Sequence, residues 1–200
     1  MEYYEVIERR HMVRAFRDGP LPADTVERIV RAGLTGPSAG FSQGFEFLVL
    51  EAEADRTRFW ETNEHNPQPE SVRRAPLVVV PFASKEAYLD RYAEPDKGWT
   101  DRDEDRWPVP YWYVDTGMAA LLMLLAAVEE GLGALLFGLP REDWTALRST
   151  FDVPEAFDPI GALAIGPPGE DEVVSSADRR DRKPLAEVVH AGRWDRPYEA

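Results

Sequence analysis

The sequence contains no cysteine, and this absence removes several kinds of chemistry at once. Disulfides, thiolate-bound zinc, iron–sulfur clusters and cysteine nucleophiles all require a thiol. Histidine is scarce as well: His11, His65 and His190 are the only 3 histidines, and their spacing fits neither His-x-x-x-His nor His-Glu-x-x-His. We therefore expect no metal site.

Familiar signatures of phosphate binding and hydrolysis are also missing. There is no Gly-x-x-x-x-Gly-Lys-Ser/Thr loop and no Gly-x-Gly-x-x-Gly after a strand, so a P-loop enzyme or an FMN-free Rossmann dehydrogenase is disfavoured. Gly131-Leu132-Gly133 is only a fragment of the second motif, and it favours the end of a helix that leads into a strand. The absence of a Gly-x-Ser-x-Gly elbow disfavours a serine hydrolase.

Positive charge is in short supply. The chain has 23 Lys and Arg against 37 Asp and Glu, which gives a formal net charge of −14 at pH 7. Such a charge repels polyanions, so we expect neither nucleic acid nor an anionic membrane as a partner. A small anionic cofactor remains compatible, because a local cluster of arginines can hold a phosphate inside an acidic protein.

Long hydrophobic runs are absent too. The longest, Met118 to Val128, is shorter than the ~20 residues that a transmembrane helix needs, and favours a buried helix. The first residues are charged from Glu2 onward and contain no apolar core of a secretory signal, so we expect a cytoplasmic protein.

What is present suits one folded α/β domain over residues 1–200. The length is 200 residues and the composition is 44% hydrophobic and 30% charged, typical of a globular chain with one sizeable core. Apolar spacing and turn residues predict the following elements. Helices are expected at 2–10, from Pro22-Ala23-Asp24 onward, at 113–130 and at 141–150, and strands at 45–50, 77–80, 134–137 and 160–165. The run Leu77–Val80 predicts a strand covered on both faces near the sheet centre.

Residues 85–112 follow neither hydrophobic period and are rich in charge, proline and aromatic rings. We interpret them as a long, partly ordered insertion, of a kind that often forms a lid or a binding segment. Trp99, Trp107, Tyr111 and Trp112 could stack on a planar substrate. The alternative is ordinary packing of a loop. In the C-terminal part, Leu185, Val188 and Val189 predict that the segment after a loop at 166–183 packs against the fold.

One motif concentrates positive charge. Arg9-Arg10-His11-Met12-Val13-Arg14-Ala15-Phe16 places guanidinium groups at the end of the first helix. Guanidinium forks suit phosphate, but a solvated basic face at a helix C-terminus is an equally ordinary explanation. The motif by itself therefore leaves both readings open.

Together with Pro37-Ser38-Ala39-Gly40-Phe41-Ser42-Gln43-Gly44-Phe45, this motif resembles the opening of the nitroreductase family. The resemblance continues through the apolar helix and Gly-Leu-Gly strand of Asp115 to Gly138, and through Arg182-Lys183-Pro184-Leu185-Ala186-Glu187-Val188-Val189-His190. It covers most of the chain except residues 51–70 and 85–112.

The resemblance implies an α+β sandwich with a central mixed or antiparallel sheet flanked by helices. It also implies an intertwined homodimer with an exchanged C-terminal segment and FMN at the interface. Cofactor-binding residues carried over from the family are Arg10, His11, Met12, Arg14, Pro37, Ser38, Ala39, Gly40, Gln43, Phe137, Gly138, Leu139, Arg180 and Arg182. Of these, the Pro37–Gly40 stretch would come from the other subunit. Phe41, Trp107, Tyr111 and Trp112 are candidates for substrate binding.

The sequence departs from the family in places that affect the pocket. Phe41 stands where members often have Asn, and Gly44-Phe45 where they often have Pro-Trp. The Asn and Lys that bind the flavin pyrimidine in some members have no clear match near residues 66–74, although Arg73 or Arg74 could substitute.

The activity implied is ping-pong oxidoreduction. A reduced nicotinamide, or a deazaflavin, gives hydride to flavin N5 and leaves, and a small organic acceptor such as a nitroaromatic, quinone or enone takes its place. No acid–base side chain is obligatory, because the flavin carries the redox step. Two alternatives remain open: a flavin-consuming enzyme of the type that makes the lower ligand of vitamin B12, and a non-catalytic flavin or deazaflavin carrier.

Overall fold

The structure, a computed structural model, describes residues 1–170 and 179–198 of the chain. The helices in these ranges are α1 (Tyr3–Arg9), α2 (Ala23–Leu34), α3 (Glu53–Glu61), α4 (Glu70–Arg73), α5 (Lys85–Ala93), α6 (Tyr111–Glu129), α7 (Trp144–Phe151) and α8 (Leu185–Val188). The strands are β1 (Phe45–Leu50), β2 (Leu77–Ala83), β3 (Gly133–Phe137), β4 (Asp158–Pro159) and β5 (Ala162–Gly166).

The strands form one 5-stranded antiparallel sheet in the order β1-β2-β5-β3, and the short β4 pairs with β2. Every residue of β2 is buried. In the sheet register Val79 lies between Val49 of β1 and Leu163 of β5. The predicted α+β class, the antiparallel sheet and the central position of the Leu77–Val80 run are confirmed.

Alternate residues of β2 face two separate hydrophobic layers, because successive side chains of a strand point to opposite faces. Leu77 and Val79 pack with Ile29 of α2 and Met123 of α6 on one face. On the other face, Val78 and Val80 pack with α3, α7 and the first loop of the chain; their buried partners there include Phe16, Phe59, Trp60 and Leu147.

Helix α6 is the central helix of the first layer. Within the residues that the structure describes, it is the one helix long and apolar enough to cross a membrane, but half of that stretch is buried inside the fold. It packs on α2, on α1 and on the sheet. These contacts identify α6 as a core helix of the layer, as its apolar composition predicts.

Residues 85–112 begin with a helix that the sequence did not predict. Lys85–Ala93 form helix α5, capped at its N-terminus by the Ser84 hydroxyl, which accepts a hydrogen bond from the Ala87 amide at 3.3 Å. Tyr88 and Leu89 are the buried residues of this helix, too few to produce a visible apolar period. Helices α3 and α4 escaped prediction for the same reason, since Phe59, Trp60 and Val72 are their buried residues.

The packing predicted for the C-terminal segment is not found within one chain. Leu185 and Val188 of α8 are 51% and 52% exposed. Single-chain burial is therefore insufficient to explain why apolar residues stand at these positions.

Candidate functional site

Residues 10–16, the arginine segment, run beside the edge strand β3. Met12 forms a parallel bridge with Ala134, and the Val13 amide donates to the Ala134 carbonyl at 3.0 Å. At Gly133 an added Cβ would come within 2.7 Å of the Val13 side chain, so glycine permits this close approach. Backbone contacts with the sheet thus fix the arginine segment.

Helix α4 holds the other side of the arginine segment. The Ser71 hydroxyl donates to the Arg14 carbonyl at 2.9 Å, and the Ser71 carbonyl accepts from the Phe16 amide at 2.9 Å. These two bonds place Ser71, a residue of the 66–74 region, next to Arg14. Arg73 and Arg74, the candidates from sequence, instead line a surface cleft of about 600 Å³.

The guanidinium groups of the arginine segment have no carboxylate partners in the described part of the chain. Arg14 donates to the Met12 carbonyl at 3.1 Å, and Arg10 has neither a hydrogen bond nor an ion pair from its side chain there. Several arginines elsewhere are neutralised, as Arg28 and Arg91 are by carboxylates at 2.7 Å, although Arg10 and Arg14 share their lack of a carboxylate partner with Arg17, Arg73 and Arg74 among the described residues. In a chain of net charge −14, the forks at Arg10 and Arg14 remain available to an anion.

The side chain of His11 makes no hydrogen bond with these forks in the described residues. Its Nδ1 is 2.9 Å from the Arg9 carbonyl oxygen, and the ring lines a cleft of about 110 Å³ with Arg9, Val13 and the Gly131–Gly133 turn. Its predicted role at the cofactor stays a prediction.

Residues 37–43, the strained loop, contain the other predicted cofactor residues. Gly40, Phe41 and Gln43 have φ values of +62°, +56° and +49°. A positive φ is unusual for a bulky residue such as Phe41 and costs roughly 1–3 kcal/mol, so surrounding contacts must hold it. Phe41 is also 74% exposed, which presents its ring to solvent or to a ligand.

A buried carboxylate anchors the strained loop to α6. Asp115, 2% exposed, accepts hydrogen bonds from the Ala39 amide at 2.8 Å and from the Tyr88 hydroxyl at 2.7 Å. Burial, assisted by the hydrogen bond to Asp115, raises the pKa of the Tyr88 phenol above its usual value. Tyr88 therefore keeps its proton and remains a donor to Asp115.

Helix α5 also holds the strained loop, and we call Tyr88, Arg91 and Asp115 together the clamp. The Arg91 guanidinium donates to the Gly40 carbonyl at 2.9 Å, and an added Cβ at Gly40 would come within 2.6 Å of the Tyr92 ring. Inside the loop, the Ser38 hydroxyl accepts from the Gln43 amide at 2.9 Å. Pro37 is exposed at the entry to the loop.

Residues 137–139, the edge segment, follow β3. Phe137 is buried and stacks on Trp60, with ring centroids 5.8 Å apart. An added Cβ at Gly138 would meet no atom within 4 Å, so its backbone is open on one side. The Gly138 carbonyl accepts a hydrogen bond from the side-chain amide of Asn66 at 2.8 Å. The Leu139 carbonyl accepts one from the Trp144 indole at 3.0 Å.

The predicted substrate residues divide by exposure. Phe41 and Tyr111 are 74% and 40% exposed, whereas Trp112 is 5% exposed and packs on Ala83 and Tyr88. Trp107 lies within an aromatic cluster; its ring neighbours are Tyr88, Tyr92, Trp99, Tyr111 and Trp112. Trp112 is buried and Trp107 is partly buried, which favours ordinary packing for both.

Arg180 and Arg182 are exposed, and neither takes part in an ion pair with the residues that the structure describes. Across those same ranges, no hydrogen bond joins the arginine segment to the strained loop. Within one chain the predicted cofactor residues from positions 10 to 139 thus form two groups, one beside β3 and one beside α5 and α6.

Sequence reasoning missed the residues that hold these groups in place. Tyr88, Arg91 and Asp115 reach the strained loop through tertiary packing, which leaves no local pattern. Ser84 at the start of α5 was the available signal, since serine is a preferred N-cap residue. The sequence offered no signal for Asn66 beyond its residue type, because Asn66 and Gly138 lie 72 positions apart in the chain and meet only in the fold.

Comparisons with known proteins identify a family for the chain. The profile of the nitroreductase family matches residues 7–167. An NADPH-dependent oxidoreductase of Staphylococcus aureus (strain MRSA252) is 26% identical over 192 residues, which are 96% of this chain and 73% of that relative.

Solved structures show the same fold. An FMN-dependent nitroreductase of Clostridium difficile R20291 is 20% identical with a TM-score of 0.69, over 94% of this chain and 98% of that one. NfrA1 of B. megaterium is 18% identical with a TM-score of 0.76, over 96% of this chain and 74% of that one. At such identities the likeness concerns the fold.

Proposed function

The chain belongs to the nitroreductase family, and from that premise we propose that it is an FMN-dependent NAD(P)H oxidoreductase. The proposed enzyme is a single domain that acts as a homodimer on a small organic acceptor in the cytoplasm. Relatives support the cofactors: one is named an NADPH-dependent oxidoreductase and another an FMN-dependent nitroreductase.

The residues present fit FMN. Its phosphate is a dianion, and Arg10 and Arg14 offer guanidinium forks that no described carboxylate neutralises. Arg180 and Arg182 would add further forks from the C-terminal segment. The open backbone of Gly138, with no atom within 4 Å of an added Cβ, suits the edge of a flat ring. These free cations in an acidic chain are the observation that carries the proposal.

A second copy of the chain would complete the site. The strained loop and the arginine segment are separate within one chain, and a dimer would bring one from each subunit together. Apolar residues on α1, α2 and α6 remain exposed in one chain and support such an interface: Tyr4, Ile7, Leu34 and Leu121. The exposed Leu185 and Val188 of α8 would be covered by exchange of the C-terminal segment.

The protein's part in the reaction is binding and orientation. Bound FMN would supply the hydride-transfer chemistry between a reduced nicotinamide and the acceptor. Arg10 and Arg14 would hold the cofactor by charge, and the edge segment would offer backbone groups to the ring edge. Phe41 and Tyr111, the exposed members of the predicted substrate set, would contact the acceptor.

Arg10→Ala tests the phosphate contact. We expect FMN affinity to fall about 30-fold, since a hydrogen bond to a charged group contributes about 2 kcal/mol. The dissociation constant is measured by fluorescence titration of apoprotein with FMN. Arg31→Ala is the matched control, because Arg31 pairs with Glu27 on the surface of α2, and its FMN affinity should equal that of the wild type. An unchanged affinity for Arg10→Ala would remove Arg10 from the site.

A further inference from the structure

A histidine–carboxylate pair lies beside the edge segment and has no role in the chemistry described so far. His65 Nδ1 is 2.6 Å from Asp143 Oδ1, and the His65 amide donates to Asp143 Oδ2 at 3.2 Å. The side chain of Asp143 is 5% exposed, whereas that of His65 is 53% exposed. A buried carboxylate thus fixes an imidazole that faces solvent.

The position of this pair follows from its neighbours in the chain. Asn66, the residue after His65, donates to the Gly138 carbonyl at 2.8 Å. Asp143 lies in the turn that follows the edge segment, and Trp144 donates to the Leu139 carbonyl at 3.0 Å. The residues that follow His65 and Asp143 therefore both bind the backbone of the edge segment, where the ring edge of the proposed cofactor would lie.

The hydrogen bonds of His65 decide which of its nitrogens is available. Nδ1 is occupied by Asp143, and Nε2 has no partner among the residues that the structure describes. When the ring is protonated, Nε2 carries an N–H that is able to donate outward. Asp143 then has the orienting role that a carboxylate has beside a general acid or base.

We propose that His65, oriented by Asp143, donates the proton that accompanies hydride transfer to the acceptor; this rests on the proposed function. A quinone acceptor gains hydride with its electron pair from the reduced cofactor. The Nε2–H bond of His65 breaks as an O–H bond forms on the quinone, which leaves as hydroquinone. The exposed imidazole then regains a proton from water.

The electrostatic surroundings favour the protonated ring. The hydrogen bond to Asp143 raises the pKa of His65 above its usual value, and the nearby carboxylates of Glu142 and Glu64 act in the same direction. Because the proton is present below this pKa, acceptor reduction should be fast at low pH and slow as the pH rises through it.

The first test separates the two half-reactions in His65→Gln, whose amide keeps a donor but does not titrate. In the loaded enzyme we expect FMN affinity and the rate of reduction by NADPH to match the wild type. Reoxidation by menadione should slow about 100-fold at pH 6, within the usual contribution of a general acid, and lose its dependence on pH. Asp143→Asn should slow reoxidation less and move its pH profile toward lower pH.

The second test needs no turnover. Proton NMR of the His65 ring should show a pKa above that of a free histidine in the wild type, and a lower one in Asp143→Asn. Reoxidation of His65→Gln with the wild-type rate and pH profile, or an NMR pKa that Asp143→Asn does not change, would overturn the role of His65. A protein that takes up no FMN would overturn the proposed function itself, and this inference with it.

Discussion

The arginine segment and the strained loop contain most of the predicted cofactor residues, but the fold holds them by different means. Backbone bonds to β3 and to Ser71 of α4 fix the arginine segment. Side chains of Tyr88, Arg91 and Asp115 fix the strained loop. A segment held through its backbone tolerates changes in its own side chains, whereas a loop held in positive φ depends on the residues that clamp it.

The difference explains what sequence could and could not predict. Four of the five strands and α6 were predicted, because continuous apolar runs such as Leu77–Val80 indicate buried elements; the two-residue strand β4 was not predicted. The clamp was not foreseen, since a carboxylate in an apolar helix and a tyrosine 27 positions before it meet only in the folded chain. The helix α5 within residues 85–112 was not predicted, because it buries few side chains.

Asp115→Ala should have the largest effect and would test the clamp directly. The change leaves the Ala39 amide and the buried Tyr88 hydroxyl without their acceptor, and each unsatisfied donor is costly. We expect the free energy of unfolding to fall by about 3 kcal/mol. Urea denaturation followed by fluorescence gives the value.

Tyr88→Phe is the control for that change, because it removes one donor and leaves Asp115 its bond to the Ala39 amide. Its loss should be about 1 kcal/mol. Equal losses for the two variants would mean that the hydrogen bond from the Ala39 amide to Asp115 adds nothing to the free energy of unfolding.

Gly40→Ala should have the next largest effect. A Cβ at φ +62° is disfavoured and would lie 2.6 Å from the Tyr92 ring, so we expect a loss of about 2 kcal/mol in unfolding free energy. Gly138→Ala is its partner variant, because its Cβ meets no atom within 4 Å. The Gly138→Ala protein should be as stable as the wild type but should bind FMN more weakly. A Gly138→Ala protein that is destabilised and keeps the wild-type FMN affinity would contradict the role given to Gly138.

Ser71→Ala should have a smaller effect than Asp115→Ala and Gly40→Ala, since it removes one hydrogen bond from a segment that β3 also holds. We expect a loss of about 1 kcal/mol, measured by the same denaturation. A loss as large as that of Asp115→Ala would show that the arginine segment, too, depends on single side chains.

The most direct measurement is FMN uptake and mass of the wild-type protein. The purified chain is incubated with FMN, freed of excess cofactor, and passed through size-exclusion chromatography with light scattering and absorbance detection. We expect a dimer that retains one FMN per chain. A colourless monomer that retains none would contradict it.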